Sequence, residues 1–161
     1  MSESPLSEEE ATWRRRFASR ANNRAWTLSE QKSRTPQEDR EMLDAAHASM
    51  HLWSTIGTAR NVASAQLLLG QVHALLANAQ YALPYAQAAH VYFTSNPSEP
   101  GQVAFSHAVM AAAAHSAGNS ALHETHYLAA IALIGKLPNK EEKANLEATL
   151  NVIPKPGTPR S

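Results

Sequence analysis

The sequence predicts an all-α protein of about seven helices, arranged as antiparallel pairs. Three observations predict it. Ala supplies 30 of the 161 residues and Gly only 6, and Ala is the best helix former. Helix-start signals recur at regular intervals and are separated by short turns, which favour antiparallel neighbours. Two of the helix pairs also show a weak internal repeat. Its offset of 40 residues aligns Asn78–Leu83 with Gly118–His123, Ala89 with Ala129 and Phe93 with Leu133. That offset falls in the range of roughly 34–47 residues typical of helical-pair repeats.

The elements follow in order. Ser7 with Glu10 three residues later is a capping-box pattern, and Leu6 can act as its staple. A first helix is expected over about 8–32, with Trp13, Phe17 and Ala21 on one apolar stripe. Thr35-Pro36-Gln37-Glu38 starts a second helix, to about Ile56, with Met42, Ala46, Ser49 and Trp53 facing the core. Gly57-Thr58 closes it and caps a third, about 59–77. A fourth is expected over about 81–94, with Pro84 in its first turn, where a missing N–H costs little. The loop Asn96-Pro97-Ser98-Glu99-Pro100-Gly101 precedes a fifth, about 102–117, that ends at Gly118-Asn119. Ser120 is the expected cap of a sixth, about 121–137, and Asn139 that of a seventh, about 140–152. The chain then reads as residues 1–7 disordered, 8–152 one helical domain, and 153–161 a disordered Pro-rich tail.

Charge is unevenly placed. Residues 1–60 hold 18 of the 28 charged side chains, whereas Asn61 to His123 holds one, Glu99. Surfaces normally carry interspersed charges at about a quarter of positions or more. A 63-residue stretch with one charge therefore points to faces covered by other helices, by another protein or by a second copy. The formal net charge of zero argues against nucleic acid, which requires an excess of Lys and Arg. Cys is absent, so there is no thiol nucleophile and no Cys-ligated zinc. The acidic start is wrong for a signal or transit peptide, and no apolar run reaches the roughly 18 residues of a membrane span. The expected setting is cytoplasmic, away from membranes.

Leu69-Gly70, His73, Ala82, Ala89 and Pro97 resemble the tetratricopeptide-repeat pattern of Leu-Gly, an aromatic, Ala in the second helix and a closing Pro. Met42-Leu43, Ala45-Ala46-His47-Ala48-Ser49, Trp53, Gly57-Thr58 and Asn61 resemble a group of uncharacterised bacterial tetratricopeptide-like proteins. In that group His often stands where this chain has Asp44 and Leu52. The resemblance spans roughly residues 8–150. It implies a short right-handed superhelix of stacked helix pairs, and a binding role.

No catalytic motif is present: neither a glycine-rich phosphate loop, nor Gly-x-Ser-x-Gly, nor His-Glu-x-x-His. His123-Glu124-Thr125-His126 is one residue too short for the last. Arg16, Arg20 and Arg24 form an i, i+4, i+8 stripe, read as a solvated helix face rather than a phosphate contact. Asp44, His47 and His51 are the metal candidate, because spacings of three and four put two imidazoles and a carboxylate on one helical stripe. An exposed polar face is the plainer reading of the same spacing. His73, His90, His107, His115, His123 and His126 lie on or near the charge-poor helices and can either pack singly or share a groove. The expected function is a non-catalytic interaction or scaffold module, engaging a protein partner or a second copy through segment 61–123, with no cofactor required. The alternative is a small His-dependent metal-binding protein or enzyme, holding a divalent ion.

Overall fold

The computed structural model describes residues 5–159. They form α1 (Glu8–Ser29), α2 (Pro36–Ile56), α3 (Ala59–Leu75), α4 (Ala79–Ser95), α5 (Pro100–Ser116), α6 (Ser120–Gly135) and α7 (Lys140–Asn151), with no strand among the described residues. The expected disorder of residues 1–7 and 153–161 falls outside the described residues at 1–4 and 160–161.

Side-chain caps set most helix starts. Ser7 with Glu10 and Thr35 with Glu38 form reciprocal capping boxes, and Thr58 does the same with Asn61. Asn119, not Ser120, caps α6, its side chain accepting the Leu122 N–H. Asn139 caps α7 through the Glu142 N–H. Asn78 makes no such cap; its side-chain amide donates to His73 Nδ1 instead. Because α4 begins at Ala79, Pro84 lies beyond the first turn, contrary to expectation. It sits on an exposed face, where water can satisfy the carbonyl its missing N–H would have bonded.

Consecutive helices pack as α1–α2, α3–α4 and α5–α6, and neighbouring pairs stack on one another. The first turn is tied by Arg34. Its Nε sits 2.6 Å from Asp39 Oδ1, and its Nη1 donates to the Gln31 carbonyl at the end of α1. Helix α1 stops at Ser29, short of the expected Lys32, with the Glu30 N–H returning to the Trp26 carbonyl. Arg24 forms a two-pronged pair with Glu41 across α1 and α2.

The core lies around α3 and α5. Residues Leu67 to His73 of α3 are all buried, as are Ala111 to Ala114 of α5. Helix α3 is covered by α1, α2, α4 and α5; α5 is covered by α3, α4, α6 and α7. A first-helix stripe of Trp13, Phe17 and Ala21 is not what packs. Trp13 and Phe17 are 45% and 50% exposed, and Ala18, Ala25 and Leu28 are buried instead. The two aromatic rings stack on each other, 5.8 Å apart, beyond the reach of the core.

The internal repeat is present, with its register shifted by one residue. Helices α3 and α4 start at 59 and 79, and α5 and α6 at 100 and 120, a spacing of 41. Ala89 therefore matches buried Ala130, and Phe93 matches buried Ile134. Ala129 and Leu133, predicted at an offset of 40, are only half-buried. The turn itself repeats at the same spacing. Ala77 and Gly118 are both left-handed, at φ 56° and 72°. The N–H of the following Asn returns to His73 and to Ala114, respectively.

Close approach of α3 to α4 rests on Gly70. A Cβ there would lie 3.0 Å from the Ala86 nitrogen and 2.9 Å from Val109 Cγ1. Backbone cannot move aside as a flexible side chain can, so Gly70→Ala should destabilise by about 1–3 kcal/mol. Ala77→Gly should act in the opposite direction, by up to about 1 kcal/mol, because it relieves a left-handed Ala. Urea midpoints of the two variants check both signs. A stabilised Gly70→Ala would contradict the packing account.

Candidate functional site

Helix pairing brings three imidazoles from three helices together. His90 of α4, His107 of α5 and His126 of α6 offer ring nitrogens that all lie within 4.8 Å of one another. Ring centroids are 4.6 Å apart for His90 and His107, and 5.0 Å for each of the other two pairs. His107 Nδ1 lies 2.8 Å from His126 Nδ1. One of those two nitrogens must carry the hydrogen and the other the lone pair.

The tautomer of His90 follows from its neighbour. Ser106 is buried on α5, and its hydroxyl donates to the Val103 carbonyl at 2.8 Å. A hydroxyl has one hydrogen, so its 2.8 Å contact with His90 Nδ1 is a bond donated by Nδ1–H. The lone pair of neutral His90 is thereby left on Nε2. Burial, followed by the neighbouring charges of His107 and His126, pushes His90 down to about 4. Burial also holds His107 and His126 below the ordinary imidazole value, with His107 adding to the effect on His126. All three are neutral near pH 7, the state in which an imidazole can ligate a metal.

The other histidines divide between two separate places, so the six on or near the charge-poor helices do not share one groove. His73 is buried on α3, stacked at 5.9 Å against Tyr85, 5.3 Å from Tyr81 and 5.5 Å from the His47 ring. Its Nδ1 accepts from Asn78, which leaves the hydrogen on a buried Nε2 without a partner. His123 is buried on α6, donates from Nδ1 to the Ala111 carbonyl, and lies 5.0 Å from His115. Both His115 and His123 line a cleft of about 650 Å³ that residues Pro156–Pro159 help to close. The chain after α7 thus turns back here, with the Thr158 N–H donating to Lys155.

Asp44, His47 and His51 are all exposed on α2, opposite buried Met42, Ala46 and Ser49. His47 faces His73 rather than a carboxylate. Among the described residues, the group of three donors that converges is His90, His107 and His126. Of the arginine stripe, Arg24 is paired with Glu41, and the Arg16 guanidinium lies 5.3 Å over the Trp13 ring.

The scarcity of charge between 61 and 123 has two origins. Helices α3 and α5 carry little charge because other helices of this chain cover them. Helix α4 is different: Tyr81, Pro84, Gln87, Ala88, Val91, Thr94 and Ser95 are exposed, and none is charged. Helix α6 exposes Leu128 and Ile131, at 54% and 47%, on the same stripe as the charged Glu124. No helix among the described residues is long and apolar enough to cross a membrane. No family model, curated protein or solved structure matches the chain.

Sequence reasoning named the three clustered histidines but not their meeting. Separations of 17 and 19 residues carry no motif, and the 41-residue repeat spacing does not align His90 with His126, which are 36 residues apart, so no pattern in the sequence marks their meeting.

The lowered values predict a specific acid response in chelator-treated protein. The unfolded chain binds protons at about 6.5, whereas the folded triad resists them. Stability contributed by the neutral triad is therefore full above about 6.5 and is lost as pH falls towards about 4, where His90 titrates in the folded state. The urea midpoint should stay level from about pH 8 to 6.5 and decline below it. His90→Gln, which removes the most strongly shifted group, should flatten that decline. A midpoint that is level down to pH 5 in the wild type would contradict the neutral triad.

Proposed function

We propose that this chain is a non-catalytic helical-repeat interaction module, similar in plan to tetratricopeptide domains, that engages a protein surface through the outer faces of α4 and α6. The observation that carries the reading is the uncharged outer face of α4 together with exposed Leu128 and Ile131 on α6. Val91 alone is 61% exposed. Large exposed apolar side chains on α4 and α6, with Glu124 the one exposed charge within α6, fit a partner that is itself largely apolar there. A second copy of this chain meets that description, since it presents the same faces.

Self-association is accordingly the first test. Sedimentation equilibrium should give a mass above the 17.5 kDa of one chain at tens of micromolar. Leu128→Glu with Ile131→Glu should weaken the association by tenfold or more, about 1.4 kcal/mol, because each buries a carboxylate against an apolar surface. The variant should keep its helical circular dichroism, as neither side chain is buried in the fold. A monodisperse monomer over the whole range, with no co-purifying protein, would overturn the reading.

A further inference from the structure

We infer that His90, His107 and His126 form a three-imidazole site for a divalent transition-metal ion, which clamps α4 to the α5–α6 pair. The inference stands on geometry and on donor chemistry, and is independent of the interaction surface proposed above.

The donor set selects the class of ion. Three neutral imidazoles, with no thiolate and no carboxylate in the group, suit zinc, copper or nickel and do not suit magnesium, calcium or manganese. Zinc takes His nitrogens at about 2.0–2.1 Å, which places two tetrahedral ligands on one ion roughly 3.3 Å apart. The His107–His126 contact of 2.8 Å must open slightly, and separations that lie within 4.8 Å must settle near this value. Both are changes on the scale of side-chain rotation.

The hydrogens are already arranged for it at one ring. Metal-ligating His normally donates its other N–H to a carbonyl, carboxylate or similar acceptor, which fixes the ring and its tautomer. Ser106 supplies that acceptor to His90 Nδ1–H and is itself held by the Val103 carbonyl. Nε2 of His90 is then the ligating atom. At the other two rings, whichever of His107 and His126 holds the shared Nδ1 hydrogen moves it to its own Nε2. Both Nδ1 lone pairs then face the ion, and no net proton is released. Three protein ligands leave one coordination position for water or a partner's donor.

The location gives the ion a structural consequence. His90 lies in the α3–α4 unit, and His107 and His126 lie in the following α5–α6 unit. A bound ion joins successive units at the seam where they stack.

The test uses the full chain, stripped with a chelator, and zinc sulfate as the probe. Calorimetry should give one zinc per chain, and cobalt(II) in its place should develop the visible bands of a nitrogen-ligated, near-tetrahedral ion. Nitrogen-15 imidazole spectra of the wild type should show three of the eight His rings shifting with the first equivalent of zinc. This measurement needs no variant. His90→Ala, His107→Ala and His126→Ala should each abolish the cobalt bands. Ser106→Ala, which removes only the positioning residue, should weaken zinc about 10–100-fold while the cobalt bands stay tetrahedral. His47→Ala and His51→Ala should bind as the wild type does. The inference is overturned if the wild type takes up no zinc, copper or nickel. It is equally overturned if the shifted rings are those of α2, or if zinc binding survives loss of all three triad imidazoles.

Discussion

The constraint on which this structure depends is the distance between its helix axes. Small residues set it. Gly70 lets α3 come against the backbone of α4 at Ala86, and Val109 of α5 closes over the same point. Ala82, Ala86 and Ala89 line the buried side of α4, and Ala111 to Ala114 make a continuous buried run on α5. Larger side chains would push the helices apart, and the cavities or strain that follow cost several kcal/mol. The close spacing also explains the histidine cluster. An imidazole reaches only a short way from its backbone, so rings on three different helices meet only where those helices are tightly packed.

Much of this was legible in the sequence, because helix starts are local chemistry. Ser7-x-x-Glu10 and Thr35-x-x-Glu38 each satisfy their own N–H groups within four residues and stand where the sequence places them, and Thr58 caps α3 as expected, with Asn61 completing its box. Pairing of successive helices followed from short turns alone. The misreadings have a common physical origin. Trp13 and Phe17 have the right period for a buried stripe, but periodicity says only that two residues share a face, not that another helix covers it. The one-residue error in repeat register came from aligning Asn78 with Gly118. The left-handed residue is Ala77 in the first turn, where Gly would ordinarily be expected, so the most reliable marker was disguised.

The site was harder to read than the fold, and for a definite reason. On α2, spacings of three and four put Asp44, His47 and His51 on one stripe, and that is visible without any tertiary knowledge. A stripe on a single helix, however, gathers donors on a convex surface, where water competes for them. The donors that converge come from α4, α5 and α6, each contributing one ring. Their meeting is a tertiary event, and Ser106, which accepts from the His90 ring, looks in the sequence like any helix-interior Ser capable of bonding back to its own backbone.

The scarcity of charge links the outer face of α4 to the histidine cluster. An imidazole buried beside carboxylates is held as a cation, and a cation is a poor ligand. The triad titrates under the influence of burial and of its own members, and no carboxylate contributes to any of the three shifts. The same stretch that leaves α4 with an uncharged outer face therefore leaves the inner His90 ring free to remain neutral. A Glu placed along α4 or α5 for solubility would act on both faces. It would put a charge on the outer surface, and any acidic group near the seam would raise the proton affinity of the rings behind it. Uncharged Gln, Ser, Thr and His keep the helix polar without doing either, and that is what the composition along α4 provides.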